Sequence, residues 1–468
     1  MLFTQARFLA FFLVVFLVHW SLSGARARKL WLLAASYVFY AAWDWRFLAL
    51  LWFSTAVDFF CALAMDGRER PRRRPWLALS VAVNLGLLAL FKYFDFFIDS
   101  ALALLQLLGL EPHRTTLAFA LPIGISFYTF QSLSYTIDVF RGRLRATRKP
   151  LEFALFVSFF PQLGAGPIAR ATTVLPQLDE PRRFAEHVDI RAALLLFLGG
   201  FLKKACIADS ISAVVDPVFA EPGLVDSGSA WTALLLYHVQ IYCDFSGYTD
   251  MAIAIAGLLG YRLPENFDFP YFSRGIGEFW RRWHISLSTW LRDYLYLPLV
   301  GKRPSPVRRW SAVLATMSLC GLWHGAGWQF VGFGFLHGLY VVIEDLWTRA
   351  GAVRERFAWL TGPIAVPAVN LLVLLTWPVF RMRSLEQAHA LYSRLFSFEA
   401  SGASVLGARA LLFVVGCALV HWLARNYLPL RIAARWPSWA FALSYGLAWS
   451  LVLPWVAVEL APFIYFQF

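Results

Sequence analysis

Apolar residues run through this chain in long blocks, near residues 3–20, 30–47, 48–65, 76–98, 115–140, 192–220, 230–259, 311–329, 331–347, 363–380, 405–424 and 437–459. Most of these blocks approach the roughly 20 residues that an α-helix needs to cross hydrocarbon. The pattern predicts an all-α, polytopic integral membrane protein with about eleven or twelve transmembrane helices. Basic loops at 26–29, 66–75 and 141–149 separate some of the blocks, and their alternation places the N-terminus outside and these loops in the cytoplasm. Arg7, the apolar run 8–20 and the small residues near Ala27 resemble a cleavable signal peptide, but Arg26, Arg28 and Lys29 follow at once. That charge holds the loop in the cytoplasm and predicts a retained first span.

Two stretches break the spanning pattern. The segment 153–168 is short, ends in Phe-Pro-Gln-Leu-Gly-Ala-Gly-Pro-Ile and is flanked by basic residues. Its breakers predict a re-entrant element whose irregular backbone is buried in protein. In 261–310, Phe279, Trp283, Leu287, Trp290 or Leu291, and Tyr294 recur at three- and four-residue spacing, with Arg281, Arg282 and Arg292 mostly off the stripe. That periodicity predicts an amphipathic helix lying against the cytoplasmic face or the bundle wall. Neither a soluble domain nor an internal repeat is evident, so the expectation is one membrane-embedded domain over 1–468, with its motif-bearing core at about 115–347.

Composition strengthens the membrane reading. Of 468 residues, 59% are hydrophobic and 15% charged, against roughly 25% charged in an ordinary soluble domain. The 43 Phe and 21 Trp suit bilayer interfaces and packed helices. A net charge of +13 raises the question of nucleic acid. The basic residues are instead concentrated in loops such as 66–75, where five of ten residues are Arg, without interleaved aromatics that could stack bases. They read as topology signals attracted to anionic lipid, with the bilayer as partner and no nucleic acid. The excess of 36 Arg over 6 Lys points to a GC-rich, bacterial genome. Five scattered cysteines (Cys61, Cys206, Cys243, Cys320, Cys417) form no paired motif and are expected to pack.

The candidate chemistry lies between Tyr242 and His337. His284 sits in Trp-Arg-Arg-Trp-His-Ile-Ser, His324 in Leu-Trp-His-Gly-Ala and His337 in Leu-His-Gly-Leu. An ionisable group inside or beside an apolar segment is costly and marks a functional site by default. A neutral imidazole there can act as a general base. Glycines around His324 allow close approach of a substrate or a neighbouring backbone. His284, next to Arg281 and Arg282, is either part of a site or an interfacial side chain; the two arginines are candidate contacts for donor phosphates. His337 is expected to pack. Asp244, Ser246 and Asp250 also lie in an apolar run, where arginines or backbone amides are the expected partners and a structural role is favoured. Asp95 reads as a solvated helix end. There is no metal-ligand spacing, no phosphate-binding glycine loop, and no second glycine to make Ser126 a nucleophile elbow. A general base within the bilayer remains, suited to moving an activated acyl group onto a hydroxyl.

Five ordered motifs carry a resemblance: Leu-Pro-Ile-Gly-Ile-Ser-Phe-Tyr-Thr-Phe-Gln (121–131), Phe-Phe-Pro-Gln-Leu-Gly-Ala-Gly-Pro-Ile (159–168), Asp-Phe-Ser-Gly-Tyr-Thr-Asp-Met-Ala (244–252), Glu-Phe-Trp-Arg-Arg-Trp-His-Ile-Ser-Leu-Ser (278–288) and Leu-Trp-His-Gly-Ala (322–326). Together with the closing segment 462–468 they resemble the membrane-bound O-acyltransferases, in particular the bacterial branch that acetylates polysaccharides. The resemblance implies that His324 is the catalytic histidine and His284 the second conserved polar position, which is asparagine in many lipid-modifying members. Leu-Val-Gly at 299–301, where Gly-Gly is usual, and Phe333, where Trp is common, depart from the pattern without touching either histidine.

The function implied is transfer of an acetyl group from a cytoplasmic thioester across the bacterial inner membrane, for O-acetylation of an extracytoplasmic polysaccharide such as alginate. No bound cofactor is expected, and acetyl-CoA is the expected donor. An extracytoplasmic SGNH-type acetyltransferase is the expected partner. The alternatives are a D-alanyl transferase acting on a cell-envelope polymer, or a non-enzymatic polysaccharide exporter. Trp323, Trp328, Phe330, Phe333 and Phe335 are expected to wall a chamber around His324 that is too narrow for a fatty chain.

Overall fold

The computed structural model describes residues 1–110, 121–350, 362, 364–398, 402–425, 432, 435–457 and 463–464. Among them every apolar block falls on helix, and one isolated bridge, Val225 with Ala403, is the extended pairing present. The helices are α1 Ala6–Ser21, α2 Ala25–Asp44, α3 Phe47–Met65, α4 Arg70–Leu107 (with a π-turn at Ala89–Tyr93), α5 Ile125–Arg141, α6 Pro150–Ser158 and α7 Ala171–Asp179. They continue as α8 Ile190–Phe201, α9 Asp209–Ala220, α10 Ser227–Leu258, α11 Ile276–Arg282, α12 Ile285–Leu291, α13 Pro306–His324 and α14 Trp328–Arg349. The last four of the longer helices are α15 Ala365–Leu374, α16 Leu385–Ser397, α17 Ala408–Ala424 and α18 Ser438–Val452, with the short helix Trp377–Arg381 between α15 and α16.

By length and apolarity α3, α4 and α14 can each cross a bilayer unaided. Shorter apolar helices, among them α1 and α17, accompany them. No described residue of α17 is buried, and Leu412, Val415 and Val420 are more than 60% exposed. Apolar side chains left this open on most of a helix are stable only where lipid covers them. The chain is an all-α polytopic membrane protein. Of the expected block 115–140, residues 115–120 lie outside the described residues, as does much of the closing segment.

The described residues cluster into two compact units: Met1–Asp189 with Ile255–Pro264, and Ile190–Ala254 with Glu265–Phe468. In the first, α3, α4 and α5 are fastened by a polar knot. Asp58 of α3 is fully buried and accepts hydrogen bonds from Ser80 (2.6 Å) and Asn84 (2.9 Å) of α4 and from Ser132 of α5. Polar side chains joining helices in this way can do what apolar contact cannot when the surroundings are equally apolar. The segment expected to be re-entrant is helical over α6 and again over Phe160–Leu163. Its turn is buried, with the Phe160 amide donating to Ser36 Oγ (3.1 Å) and Gln162 Nε2 to the Phe156 carbonyl (2.6 Å). Gly124 lies at φ +76°, and a Cβ there would stand 2.3 Å from the Leu163 carbonyl oxygen, so that position admits only glycine.

In the second unit the long apolar block 192–220 is two helices, α8 and α9, joined by a π-turn at Leu202–Ala208 that carries Lys203 and Lys204. These lysines supply the partners that Asp244 and Asp250 require. Lys204 Nζ lies 2.7 Å from Asp209 and 2.6 Å from Asp244, and Lys203 pairs with Asp250. The Ile464 amide donates to the other oxygen of Asp244 at 3.0 Å. The expectation of arginines is corrected to lysines, while the backbone amide and the structural role stand. Asp95 is exposed, but it lies inside α4, just after its π-turn, and not at a helix end as expected.

α13 and α14 form a tight hairpin. A Cβ on Gly321 would lie 1.9 Å from the Phe330 carbonyl oxygen, and one on Gly334 would lie 2.0 Å from that of Met317. Backbone meets backbone at both points, and neither can retreat. Gly334→Ala is expected to force the helices apart at a cost of at least ~1–3 kcal/mol, the range for overpacking. A lower melting temperature and reduced accumulation of detergent-extracted protein would report it; wild-type values for both would refute the contact.

Candidate active site

The hairpin tip fixes the first candidate residue. His324 is the last residue of α13, before Gly325 turns extended, and it is 3% exposed. The stretch Gly325–Gly327 is short enough to place Phe333 of α14 back against it, with Phe330 beside Gly325. The His324 ring lies edge-to-face with Trp323 (5.1 Å), Phe333 (6.3 Å) and Phe380 (5.6 Å). Cys320, one turn earlier, brings its Sγ to 3.9 Å from His324 Nε2.

The second candidate comes from the stretch expected to be a single amphipathic helix. The apolar stripe is as expected: Phe279, Trp283, Leu287, Trp290, Leu291 and Tyr294 are all buried. The continuous helix is not. It breaks at Trp283 and His284 into α11 and α12, with His284 at φ +43° and ψ 54°, a left-handed conformation that costs a side-chain-bearing residue about 1–2 kcal/mol. The break turns His284 away from the direction an unbroken helix would give it. Its ring then lies edge-on to Phe245 of α10 (4.6 Å), 5.9 Å from Trp323 and 6.5 Å from His324. His284 is fully buried, and neither ring nitrogen has a hydrogen-bond partner among the described residues. Burial pushes this imidazole, which lies outside the spanning helices, down to about 3, so it is neutral at physiological pH. A fully buried imidazole without partners is an unpaid desolvation cost, and such groups mark places where a ligand or water completes the structure.

The rings of His284 and His324 therefore lie close together. The arginines do not join them in the same way. Arg282 is engaged by Glu278 (2.9 Å) and Asp268 (3.2 Å), and Arg281 is exposed. His337 packs: Trp280 Nε1 donates to its Nδ1 (3.3 Å) and its Nε2 meets Thr376 Oγ1 (3.1 Å). The chamber walls are also revised. Phe330 and Phe333 point inward, but Trp328 (60% exposed) and Phe335 (46%) face away. Their places are taken by Phe380, Trp377 and Phe245, which come from other helices and which sequence spacing around His324 could not reveal. One missed signal was available: two adjacent lysines in an apolar run, Lys203 and Lys204, call for buried carboxylates.

The chain is thus a polytopic helical membrane protein with two buried histidines set close together among aromatic side chains. Residues 33–385 match the model of the MBOAT, membrane-bound O-acyltransferase family, and the chain belongs to that family as an O-acyltransferase. It is 39% identical over 496 residues to a probable alginate O-acetylase AlgI of Pseudomonas putida, with 100% of each chain covered. It is 43% identical over 406 residues to the protein of the same name from Azotobacter vinelandii, covering 85% of this chain and 78% of that one. A peptidoglycan O-acetyltransferase of Helicobacter pylori is 35% identical over 424 residues, covering 83% and 78% respectively.

Proposed function

We propose that this protein is an inner-membrane O-acetyltransferase that takes an acetyl group from acetyl-CoA on the cytoplasmic side and delivers it to a hydroxyl on the other side, for O-acetylation of a polysaccharide such as alginate. The observation that carries the reading is the convergence of His284 and His324, 6.5 Å apart between ring centres, inside one aromatic box. The names of the relatives support the acetyl group and the polysaccharide acceptor. Arg281, the exposed one of the two candidate arginines, remains the better contact for donor phosphates.

In this reading the acceptor oxygen attacks the thioester carbonyl while His324 takes the hydroxyl proton. The tetrahedral intermediate expels the thiolate by breaking the C–S bond, and His324 returns the proton to sulfur, so the histidine ends as it began. Base assistance of this kind contributes roughly 10²–10⁴-fold. His284, neutral and with no hydrogen-bond partner at either ring nitrogen among the described residues, donates its one N–H toward the carbonyl oxygen as negative charge develops there. An SGNH-type acetyltransferase outside the membrane then carries the group to the polymer.

The closed walls set the acyl length. Trp323, Phe333 and Phe380 are all buried around His324. Each added methylene gains ~0.8 kcal/mol on burial where room exists, and costs ~1–3 kcal/mol as overpacking where it does not. Reconstituted membranes supplied with acetyl-, octanoyl- and palmitoyl-CoA are expected to transfer acetyl at least about 100-fold faster than palmitoyl, the factor that some 2.7 kcal/mol gives. Comparable rates for acetyl and palmitoyl donors would show a lipid-sized path and overturn the polysaccharide reading.

A further inference from the structure

His284 occupies the N-cap position of α12 but does not use its side chain as a cap. The first amides of a helix have no partner within it, and the N-cap side chain ordinarily accepts a hydrogen bond from one of them. Here that duty is carried by a residue eighteen positions earlier in the chain. The backbone carbonyl of Asn266 accepts from the Ile285 amide at 2.9 Å. Its side-chain Oδ1 accepts from the Ser286 amide at 3.2 Å and from Ser286 Oγ at 2.6 Å. Its Nδ2 reaches Thr249 Oγ1 of α10 at 3.5 Å, and the residue is buried. Two residues on, the Asp268 amide donates to the Arg282 carbonyl at 3.0 Å, so the segment 266–268 lies along both sides of the helix break.

We propose that Asn266 is a positioning residue for His284. By capping α12 from a separate segment it releases the imidazole from the N-cap role and holds His284 in its left-handed conformation, with the ring turned toward Trp323 and His324. Asn suits the task because its carbonyl oxygen accepts two hydrogen bonds while its amide group can still donate to α10. Without that cap the α12 amides lose a partner, and a helix break at a side-chain-bearing residue with positive φ has less to hold it. The imidazole then wanders from a geometry in which small displacements are costly to rate.

This inference rests on the acetyltransferase reading, and its test separates the two. Acetyl transfer would be measured in proteoliposomes for Asn266→Ala, Asn266→Asp, His284→Ala and the Asn266→Ala/His284→Ala double variant, with His324→Ala as reference. Asn266→Ala is expected to lower kcat about 10- to 100-fold, the scale of a misplaced catalytic group, with the donor KM nearly unchanged. Asn266→Asp, which keeps the accepting oxygen, is expected to recover most of the rate. In the His284→Ala background Asn266→Ala is expected to cost little more, because its effect passes through His284. An equal loss in both backgrounds, or no loss in kcat, would overturn the proposal. If His284→Ala leaves no measurable rate, the Asp variant decides: recovery supports the cap, and loss equal to that of Asn266→Ala refutes it. Full activity of His324→Ala would instead bring down the underlying catalytic reading.

Discussion

His324→Ala is expected to eliminate acetyl transfer, by at least about two orders of magnitude, in protein that still inserts and accumulates normally. The ring sits at the end of α13, beyond the glycine contacts that bind α13 to α14, so its removal leaves the hairpin intact. Trp323, Phe333 and Phe380 close much of the space around it and limit the access of water as a substitute base. The measurement is acetylation per molecule of membrane-localised protein. Wild-type turnover in a correctly localised His324→Ala variant would remove the histidine from the mechanism. His284→Ala is expected to fall severely yet retain a trace, since the base would survive while the donor to the developing oxyanion is lost.

The second large effect is on stability. Lys204 is buried between Asp209 and Asp244, at 2.7 Å and 2.6 Å, in the π-turn between α8 and α9. Asp244 also receives the Ile464 amide, and Phe463 packs on Phe245 and Tyr248. Lys204→Met would leave two carboxylates buried without their cation. Breaking a buried ion pair from one side typically costs about 3–5 kcal/mol, enough to deplete the folded protein. Replacing all three, with Lys204→Met, Asp209→Asn and Asp244→Asn together, removes the unpaired charges and is expected to restore accumulation. Fluorescence-detected size exclusion and thermal melts would follow both variants. A stable Lys204→Met protein would show that the lysine does not hold the cluster together. Phe245 touches both Phe463 and His284, so the same cluster supports one wall of the histidine site from behind.

The sequence motifs made the candidate histidines legible because the cost of an imidazole in an apolar segment is a local property. They did not expose Asn266. It stands eighteen residues before His284 in a stretch rich in turns, and an asparagine there reads as an ordinary loop residue until the α12 amides are seen to point at it. Asp58 was equally silent, since one acidic residue in a long apolar block declares its expense without declaring Ser80, Asn84 and Ser132 as the groups that meet it.

By itself the sequence determined the membrane class, the helical blocks, the buried stripe from Phe279 to Tyr294 and the two histidines, because hydropathy and helical periodicity are written residue by residue. Tertiary structure alone decided that this stripe breaks at His284, that Trp328 and Phe335 turn outward while Phe380 turns in, and that lysines rather than arginines meet the α10 carboxylates. Each of these depends on which partner is present in space: a left-handed residue persists only where its surroundings hold it, and a buried charge is settled by whichever counter-charge packing brings within reach.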